Sequence, residues 1–210
     1  MFRWTPILSK NLPSIRSYFQ FLPFGNSFLL LGGGIYAPPN ASLPVPAEVS
    51  DSWYTLDFAG NSFTNVNTIK SCNNSILYTP RSSGACTVPS TGTLICYGGM
   101  NNQSSPPYFP NSTTYTYYTT YNGVSTCFLS TTPTINPGPR DAHTMVSVNG
   151  LIYLFGGRMD ELYTPAPSGL WSYSPSTKLW SSITESMNNG PVARWGHSSV
   201  AVGNLIFIFG

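Results

Sequence analysis

The 210-residue sequence predicts an all-β protein, built as a partial β-propeller of four-stranded antiparallel blades. Three observations support this fold class. Only 8% of the residues are charged, whereas Tyr, Phe, Ser, Thr, Asn, Gly and Pro are abundant, which favours strands and turns over helices. A stretch that starts at an arginine and reaches a glycine sixteen or seventeen residues later occurs four times. Two further β-rich segments follow the first three copies, which makes four strands per unit.

The repeated stretch is clearest between residues 140 and 157. There, two β-rich runs flank Asn149-Gly150, a pair typical of a tight two-residue hairpin turn. The second run, LIYLF, is almost continuously apolar, as expected of a strand that is covered on both faces of its sheet. The other copies predict hairpins of the same kind and start at Arg16, Arg81 and Arg194.

A four-stranded sheet has two faces to bury, and stacking such sheets around an axis buries both, as in a β-propeller. The sequence therefore predicts a single incomplete propeller over residues 1–210, as part of a longer protein. A closed ring of four blades is the alternative. The predicted units, in chain order, are the last strand of a preceding blade (1–12), three blades (13–70, 71–130 and 131–185) and the first two strands of a truncated blade (186–210).

The repeat resembles that of the kelch family of β-propellers, most closely over residues 139–210, less closely over 13–70 and least over 71–130. The resemblance rests on the apolar strand that ends in two glycines, on Tyr173 and Trp180, and on an arginine and a histidine that open the next unit. It implies a propeller that binds other molecules, and galactose-oxidase-like proteins share its architecture. The residues of this repeat framework are Arg16, Gly32, Gly33, Arg81, Gly98, Gly99, Arg140, His143, Gly156, Gly157, Tyr173, Trp180, Arg194 and His197.

The predicted long loops lie at one end of the blades. The inserts between second and third strands span residues 34–51, 100–112 and 158–168, whereas the turns between first and second strands are short. Long loops on a rigid scaffold commonly form binding sites. We therefore expect a protein or carbohydrate ligand at this end, although loops that bind nothing are the alternative. The candidate binding residues are Tyr36, Tyr108, Arg158, Asp160, Glu161 and Tyr163.

The four cysteines all fall in the second predicted blade. Cys86 and Cys96 align with Met145 and Leu154, two residues that face each other across a hairpin, so Cys86–Cys96 is a candidate disulfide. Cys72–Cys127 would then be the second. Four cysteines allow three pairings, and the sequence does not choose among them. Four reduced, buried thiols are the alternative.

The even number of cysteines, the low charge and four Asn-x-Ser/Thr triplets favour an extracellular or cell-surface location. A cytoplasmic location is the alternative. The net charge is +2 without a basic block, so we expect no nucleic-acid partner. No apolar run approaches the roughly 18 residues of a membrane helix. The candidate glycosylation sites are Asn40, Asn73, Asn102 and Asn111.

The sequence predicts a binding scaffold with no catalytic residue, metal site or cofactor of its own. His143 and His197 each follow a repeat arginine by three residues, which indicates a structural role in hydrogen bonding backbone groups. The resemblance leaves one enzymatic alternative, a copper-radical oxidase whose metal ligands lie outside this sequence. Another alternative is a non-functional truncated product that aggregates through exposed blade edges. We expect all five tryptophans to pack within the blades: Trp4, Trp53, Trp171, Trp180 and Trp195.

Overall fold

The structure is a computed structural model, and it is all-β, with no helix among the residues that it describes. In those residues no helix is long and apolar enough to cross a membrane. The predicted fold class is therefore confirmed. The described residues are 11–13, 16–17, 19–32, 34–35, 48–49, 53–57, 59–65, 71–72, 76–77, 84–90, 93–100, 114–120, 123–129, 135–159, 164–166, 169–183 and 190–210.

The strands of this part of the chain are short, and they are numbered here in chain order. They are β1 (Arg16–Ser17), β2 (Gln20–Phe24), β3 (Ser27–Leu31), β4 (Gly34–Ile35), β5 (Glu48–Val49), β6 (Trp53–Asp57), β7 (Ser62–Asn65), β8 (Ser71–Cys72), β9 (Ile76–Leu77), β10 (Ala85–Ser90), β11 (Thr93–Tyr97), β12 (Thr114–Thr120), β13 (Gly123–Leu129), β14 (Thr144–Val148), β15 (Leu151–Phe155), β16 (Leu170–Ser174), β17 (Leu179–Ser182), β18 (Ser198–Val202) and β19 (Leu205–Phe209).

Three antiparallel sheets of four strands follow one another along the chain. Blade 1 has the order β2-β3-β6-β7, blade 2 the order β10-β11-β12-β13, and blade 3 the order β14-β15-β16-β17. The strands β18 and β19 form a two-stranded sheet, called the fourth hairpin below. Sequence order and spatial order agree within each sheet, as in the blades of a propeller.

The hairpin of blade 3 shows why these sequences turn where they do. Val148 pairs with Leu151, which leaves Asn149 and Gly150 as the two turn residues. Their φ angles are 51° and 78°, and a two-residue turn with positive φ at both positions matches the twist of antiparallel strands. Asn and Gly tolerate these angles better than other residues, which fixes the turn at this point.

The sheets pack face to face, and their first strands lie side by side. β2 lies next to β10, β10 next to β14, and β14 next to β18. The core is therefore formed between successive blades. Blades 1 and 2 bury Phe24, Leu29, Leu31, Trp53, Cys86, Leu94 and Cys96 together. Blades 2 and 3 bury Ala85, Ile95, Tyr97, Met145, Ile152, Leu154, Tyr173 and Trp180.

A small ladder extends blade 1 beyond its glycines. It is a three-stranded sheet with the order β1-β4-β5, in which Ser17 pairs with Gly34. Blade 3 has the same arrangement as single bridges, where Arg158 pairs with Asp141 on one side and Pro165 on the other. In each ladder, the residue that directly follows the two glycines pairs with the residue that directly follows the repeat arginine.

Candidate binding site

The candidate site lies at the end of the blades where the second strands finish in glycine. In blade 3, the amide of Asp141 donates to the carbonyl oxygen of Arg158 at 3.1 Å, and the amide of Arg158 donates back to Asp141 at 3.0 Å. This backbone pair places both side chains at the end where the sequence predicts the long inserts. Of the candidate binding residues, Arg158 is the one that falls in the described part of the chain.

An ion pair fixes the Arg158 side chain. Its Nε lies 2.9 Å from Asp141 Oδ1, and its Nη2 lies 3.0 Å from Asp141 Oδ2. Asp141 is only 1% exposed. Burial raises the pKa of the Asp141 carboxyl, while the hydrogen bonds and the charge of Arg158 act in the opposite direction. A two-pronged contact of this kind holds the guanidinium in one orientation.

Neighbouring units add an aromatic ring and a thioether to this pair. The Arg158 Cζ lies 5.6 Å from the centre of the Trp195 ring, and its Nη2 lies 3.9 Å from the sulfur of Met100. Met100 directly follows the two glycines of blade 2, as Arg158 follows the two glycines of blade 3. Trp195 directly follows the repeat arginine of the fourth hairpin, as Asp141 follows that of blade 3. Three successive units thus contribute to one group, which we call the Arg158 cluster: Met100, Asp141, Arg158 and Trp195.

Trp195 corrects one expectation from the sequence. Its side chain is 43% exposed, so it is not blade packing. Neither Met100 nor Trp195 was among the candidate binding residues, and for Trp195 the reason is that a tryptophan within a repeat suggests a core residue. Their position in the repeat could have indicated a role in the site, because Trp195 occupies the position that Asp141 occupies in blade 3. An exposed Trp held beside an Arg provides a surface of the kind that protein partners bind.

The repeat arginines lie beneath this cluster and bind backbone oxygens. Nη1 of Arg140 donates to the carbonyl of Gly156 at 2.9 Å, and Nη1 of Arg194 donates to that of Gly210 at 2.6 Å. These contacts explain the sixteen-residue spacing, because each arginine binds the glycine that ends its own hairpin. A further Arg140 donor bonds the Pro137 carbonyl. Burial lowers the pKa of Arg140 to about 10, and Tyr97 acts in the opposite direction.

The second glycine of each pair joins one unit to the next. The amide of Gly99 donates to the Arg140 carbonyl at 3.0 Å, and the amide of Gly157 donates to the Arg194 carbonyl at 2.9 Å. A Cβ on Gly156 would overlap the Arg194 carbonyl oxygen, and one on Gly157 would lie 2.8 Å from the Asp141 carbonyl oxygen. Both positions therefore require glycine for space as well as for their positive φ.

The two histidines fill the spaces between units. His143 stacks edge-on against the Tyr97 ring of blade 2 at 5.9 Å, and His197 against the Phe155 ring of blade 3 at 5.4 Å. Among the described residues, neither ring nitrogen of His143 has a hydrogen-bond partner, so the expected backbone hydrogen bonds are not formed there. His197 Nε2 instead lies 2.9 Å from the Thr144 hydroxyl oxygen.

Both imidazoles are held neutral by their surroundings. Burial lowers the pKa of His143 to about 3, with smaller contributions from the charges of Arg140 and His197. The backbone of Tyr97 acts in the opposite direction without reaching hydrogen-bond geometry. Burial also lowers the pKa of His197, followed by the charge of Arg194.

The aromatic residues of the framework lie between blades 2 and 3. The Trp180 ring lies 5.0 Å from the rings of both Tyr173 and Tyr97. The Tyr97 hydroxyl donates to the carbonyl of Gly138 at 2.9 Å. Burial raises the pKa of Tyr97, against the effect of Arg140. These residues set the packing beneath the site and do not reach its surface.

The structure contains the Cys86–Cys96 disulfide, between residues paired directly across β10 and β11. Both residues lie in the core between blades 1 and 2. The other two cysteines are on β8 and β13, which lie next to each other, and the side chains of Cys72 and Cys127 fall outside the described part.

The remaining predicted positions lie outside the described residues, so they keep the standing of sequence predictions. Among the described residues, no three His, Cys, Asp or Glu side chains are grouped as metal ligands. The side chain of Arg16 is not described, although its backbone is part of β1. The positions wholly outside are Gly33, Tyr36, Asn40, Asn73, Arg81, Asn102, Tyr108, Asn111, Asp160, Glu161 and Tyr163.

The stacked sheets, the shared arginine–glycine contacts and the cluster at one end define a propeller built from repeats. A family model described as the KLHDC2/KLHL20/DRC7 Kelch-repeats domain matches residues 20–210. The chain therefore belongs to the kelch-repeat family. It is also similar to the Leucine-zipper-like transcriptional regulator 1 homolog of Drosophila melanogaster, with 33% identity over 75 residues. Those residues are 35% of this chain, and the match spans 7% of that relative's length.

Proposed function

We propose that this chain is a protein-binding scaffold whose partner docks on the Arg158 cluster. Kelch-repeat domains bind proteins and are generally non-catalytic, and this supports a binding role without chemistry of its own. The observation that best supports the position of the site is Trp195, which is 43% exposed beside an Arg158 already fixed by Asp141.

Two physical features favour this cluster over other surfaces of the described residues. Trp and Arg are the residue types that contribute most often to binding energy at protein interfaces. The Asp141 contact also orders the guanidinium before any partner arrives, so that binding loses less side-chain entropy. Since three units contribute, the cluster is part of a broad surface.

The test is affinity capture with Trp195→Ala. Wild-type chain and variants are immobilised, and bound proteins are quantified by mass spectrometry from extracts of the source cells. We expect Trp195→Ala to lower the recovery of specific partners by about tenfold or more, because interface tryptophans commonly contribute 2 kcal/mol or more. The matched control is Leu179→Ala, since Leu179 is also exposed but lies on the outermost strand of blade 3.

The proposed site is wrong if both variants recover the same partners as the wild-type chain. A carbohydrate ligand would show itself differently. The immobilised wild-type chain would then bind a glycan array, and Trp195→Ala would remove that binding while protein recovery stayed unchanged.

We also propose that the chain functions in an extracellular or cell-surface setting. The Cys86–Cys96 disulfide supports this location, because structural disulfides persist chiefly in oxidising compartments. The four glycosylation triplets at Asn40, Asn73, Asn102 and Asn111 support it as well. Intact mass of secreted chain, with and without glycosidase and reductant, tests the proposal. We expect glycans and at least one disulfide. A secreted chain with neither would contradict it.

A further inference from the structure

The turn of the blade 3 hairpin contains a reactive pair of residues. Asn149 is followed by Gly150, and both residues are exposed. The side-chain amide of an asparagine can be attacked by the backbone nitrogen of the next residue, and glycine hinders this attack least because it has no Cβ. A Cβ built on Gly150 would meet nothing within 4 Å, so no neighbour crowds the turn on that side. Both reacting groups are therefore accessible to solvent.

The asparagines in the equivalent turns of other units lack this neighbour. Asn26 in the turn of blade 1 is followed by serine, and Asn204 in the turn of the fourth hairpin is followed by leucine. The pair Asn-Gly occurs twice more in the sequence, at Asn122 and Asn189, and both of these asparagines lie outside the described residues. Among the asparagines that the structure describes, Asn149 is thus the one that precedes a glycine.

A contact with the next unit holds the Asn149 side chain in place. Its Nδ2 donates a hydrogen bond to Oδ1 of Asn204 in the fourth hairpin at 3.2 Å. Nδ2 is the atom that leaves as ammonia when the amide is attacked, and the carbon that bears it must first turn toward the Gly150 nitrogen. A reaction at Asn149 therefore has to break this contact between the two units.

We propose that Asn149 is a site of spontaneous deamidation and that Asn204 slows the reaction. The Gly150 amide loses its proton to hydroxide, and its nitrogen attacks Cγ of Asn149. A C–N bond forms, the Cγ–Nδ2 bond breaks, and ammonia leaves after taking up a proton from water, which gives a five-membered succinimide. Water then opens this ring at one of its two carbonyls and yields aspartate or isoaspartate. The net change is the replacement of ammonia by water.

Either product disturbs the contact between blade 3 and the fourth hairpin. Aspartate places a negative charge beside Oδ1 of Asn204, where Asn149 has the donor Nδ2. Isoaspartate also carries the chain through its side chain, which adds a backbone atom to a two-residue turn whose positive φ angles match the strand twist. The Arg158 cluster lies at the other end of the blade, because β15 runs from this turn to the glycines. We expect deamidation to lower stability and to leave that cluster in place.

The experiment follows the purified 210-residue chain in mildly alkaline buffer at physiological temperature. Peptide mapping by mass spectrometry separates the asparagine, aspartate and isoaspartate forms of each peptide. Conversion at Asn149 is therefore counted apart from conversion at Asn26, Asn122 and Asn189.

Three variants are compared with the wild-type chain. Asn204→Ala removes the acceptor of the hydrogen bond, whereas Asn204→Asp keeps an acceptor oxygen at the same place. Asn26→Ala is the matched control, in the equivalent turn of blade 1. Alanine fits at both positions, since the positive φ in each of these turns belongs to the glycine, Gly25 or Gly203.

We expect Asn149 to convert faster than Asn26 in the wild-type chain. Asn204→Ala should raise the rate at Asn149 by about two- to tenfold, the range that the loss of one hydrogen bond allows. Asn26→Ala and Asn204→Asp should leave it at the wild-type rate or below.

A wild-type chain in which Asn149 converts no faster than Asn26 would overturn the modification site. The role of Asn204 would be overturned if Asn204→Ala left the rate at Asn149 unchanged, or if Asn204→Asp raised it equally. A parallel rise at Asn26 in Asn204→Ala would also overturn it, because that would indicate general unfolding instead of a released side chain.

Discussion

At the scale of single residues, the glycines after the second strand of blade 3 have two structural roles in one short backbone segment. Gly156 accepts a hydrogen bond from Arg140 of its own unit, and its α-carbon lies against the backbone of Arg194 in the next. Gly157 then donates to the same Arg194 carbonyl. One backbone segment therefore closes a hairpin and joins two units, which leaves no room for a side chain.

Replacing Gly156 by alanine should cost much more stability than the same change at Gly150. Both glycines have positive φ, 69° and 78°, so the conformational cost of about 1–2 kcal/mol is shared. A Cβ on Gly150 meets nothing within 4 Å, whereas one on Gly156 would lie 2.7 Å from His197 Cε1 and overlap the Arg194 carbonyl oxygen. We expect Gly156→Ala to cost at least about 3 kcal/mol, as measured by urea unfolding. Equal costs for the two variants would show that space is not the constraint.

At the scale of strands and hairpins, much of the fold could be predicted because its signals are local. Asn149-Gly150 fixes a turn by the φ angles that these two residues tolerate, and the apolar run after it fixes a strand buried on both faces. The spacing from Arg140 to Gly156 is the length of one hairpin, so it recurs wherever the hairpin does. The same alignment made Cys86–Cys96 a candidate pair, because the two residues occupy opposed positions in that hairpin, but it did not choose among the three possible pairings.

Features that depend on neighbouring units could not be predicted in this way. The strands β1, β4 and β5 have two residues each, too few for any periodicity, and they exist because the chain segments on both sides of the glycines meet there. Trp195 lies beside Arg158 of the preceding unit, with the Arg158 Cζ 5.6 Å from the centre of its ring. Its surroundings come from a unit 37 residues away, and no local pattern records them.

At the scale of the whole molecule, stability depends on faces between blades, and both histidines lie within them. His143 is buried between blades 2 and 3, and His197 between blade 3 and the fourth hairpin. Charging either imidazole requires it to regain water, which means that the blades must separate. The same geometry that makes the histidines good packing residues therefore makes the assembly sensitive to acid.

We predict that acid destabilises the chain between about pH 6.5 and pH 3, and that His143→Phe reduces this effect. Because the pKa of His143 falls from 6.5 in the unfolded chain to about 3 on folding, the unfolded state binds more protons in this window, and stability falls as pH falls. One such group contributes at most about 1.4 kcal/mol per pH unit. Phe is a suitable replacement, since blade 1 has Phe19 at this position.

Urea unfolding at pH 7, 5.5 and 4.5 measures the effect. The free energy of unfolding of His143→Phe should rise relative to that of the wild type as the pH falls. The pKa of His197 is also lowered by burial, so His197→Phe should change stability with pH in the same direction. It should start less stable at pH 7, because it also loses the Thr144 hydrogen bond. If the wild type and His143→Phe lose stability in parallel, the charge on His143 is not what acid acts upon.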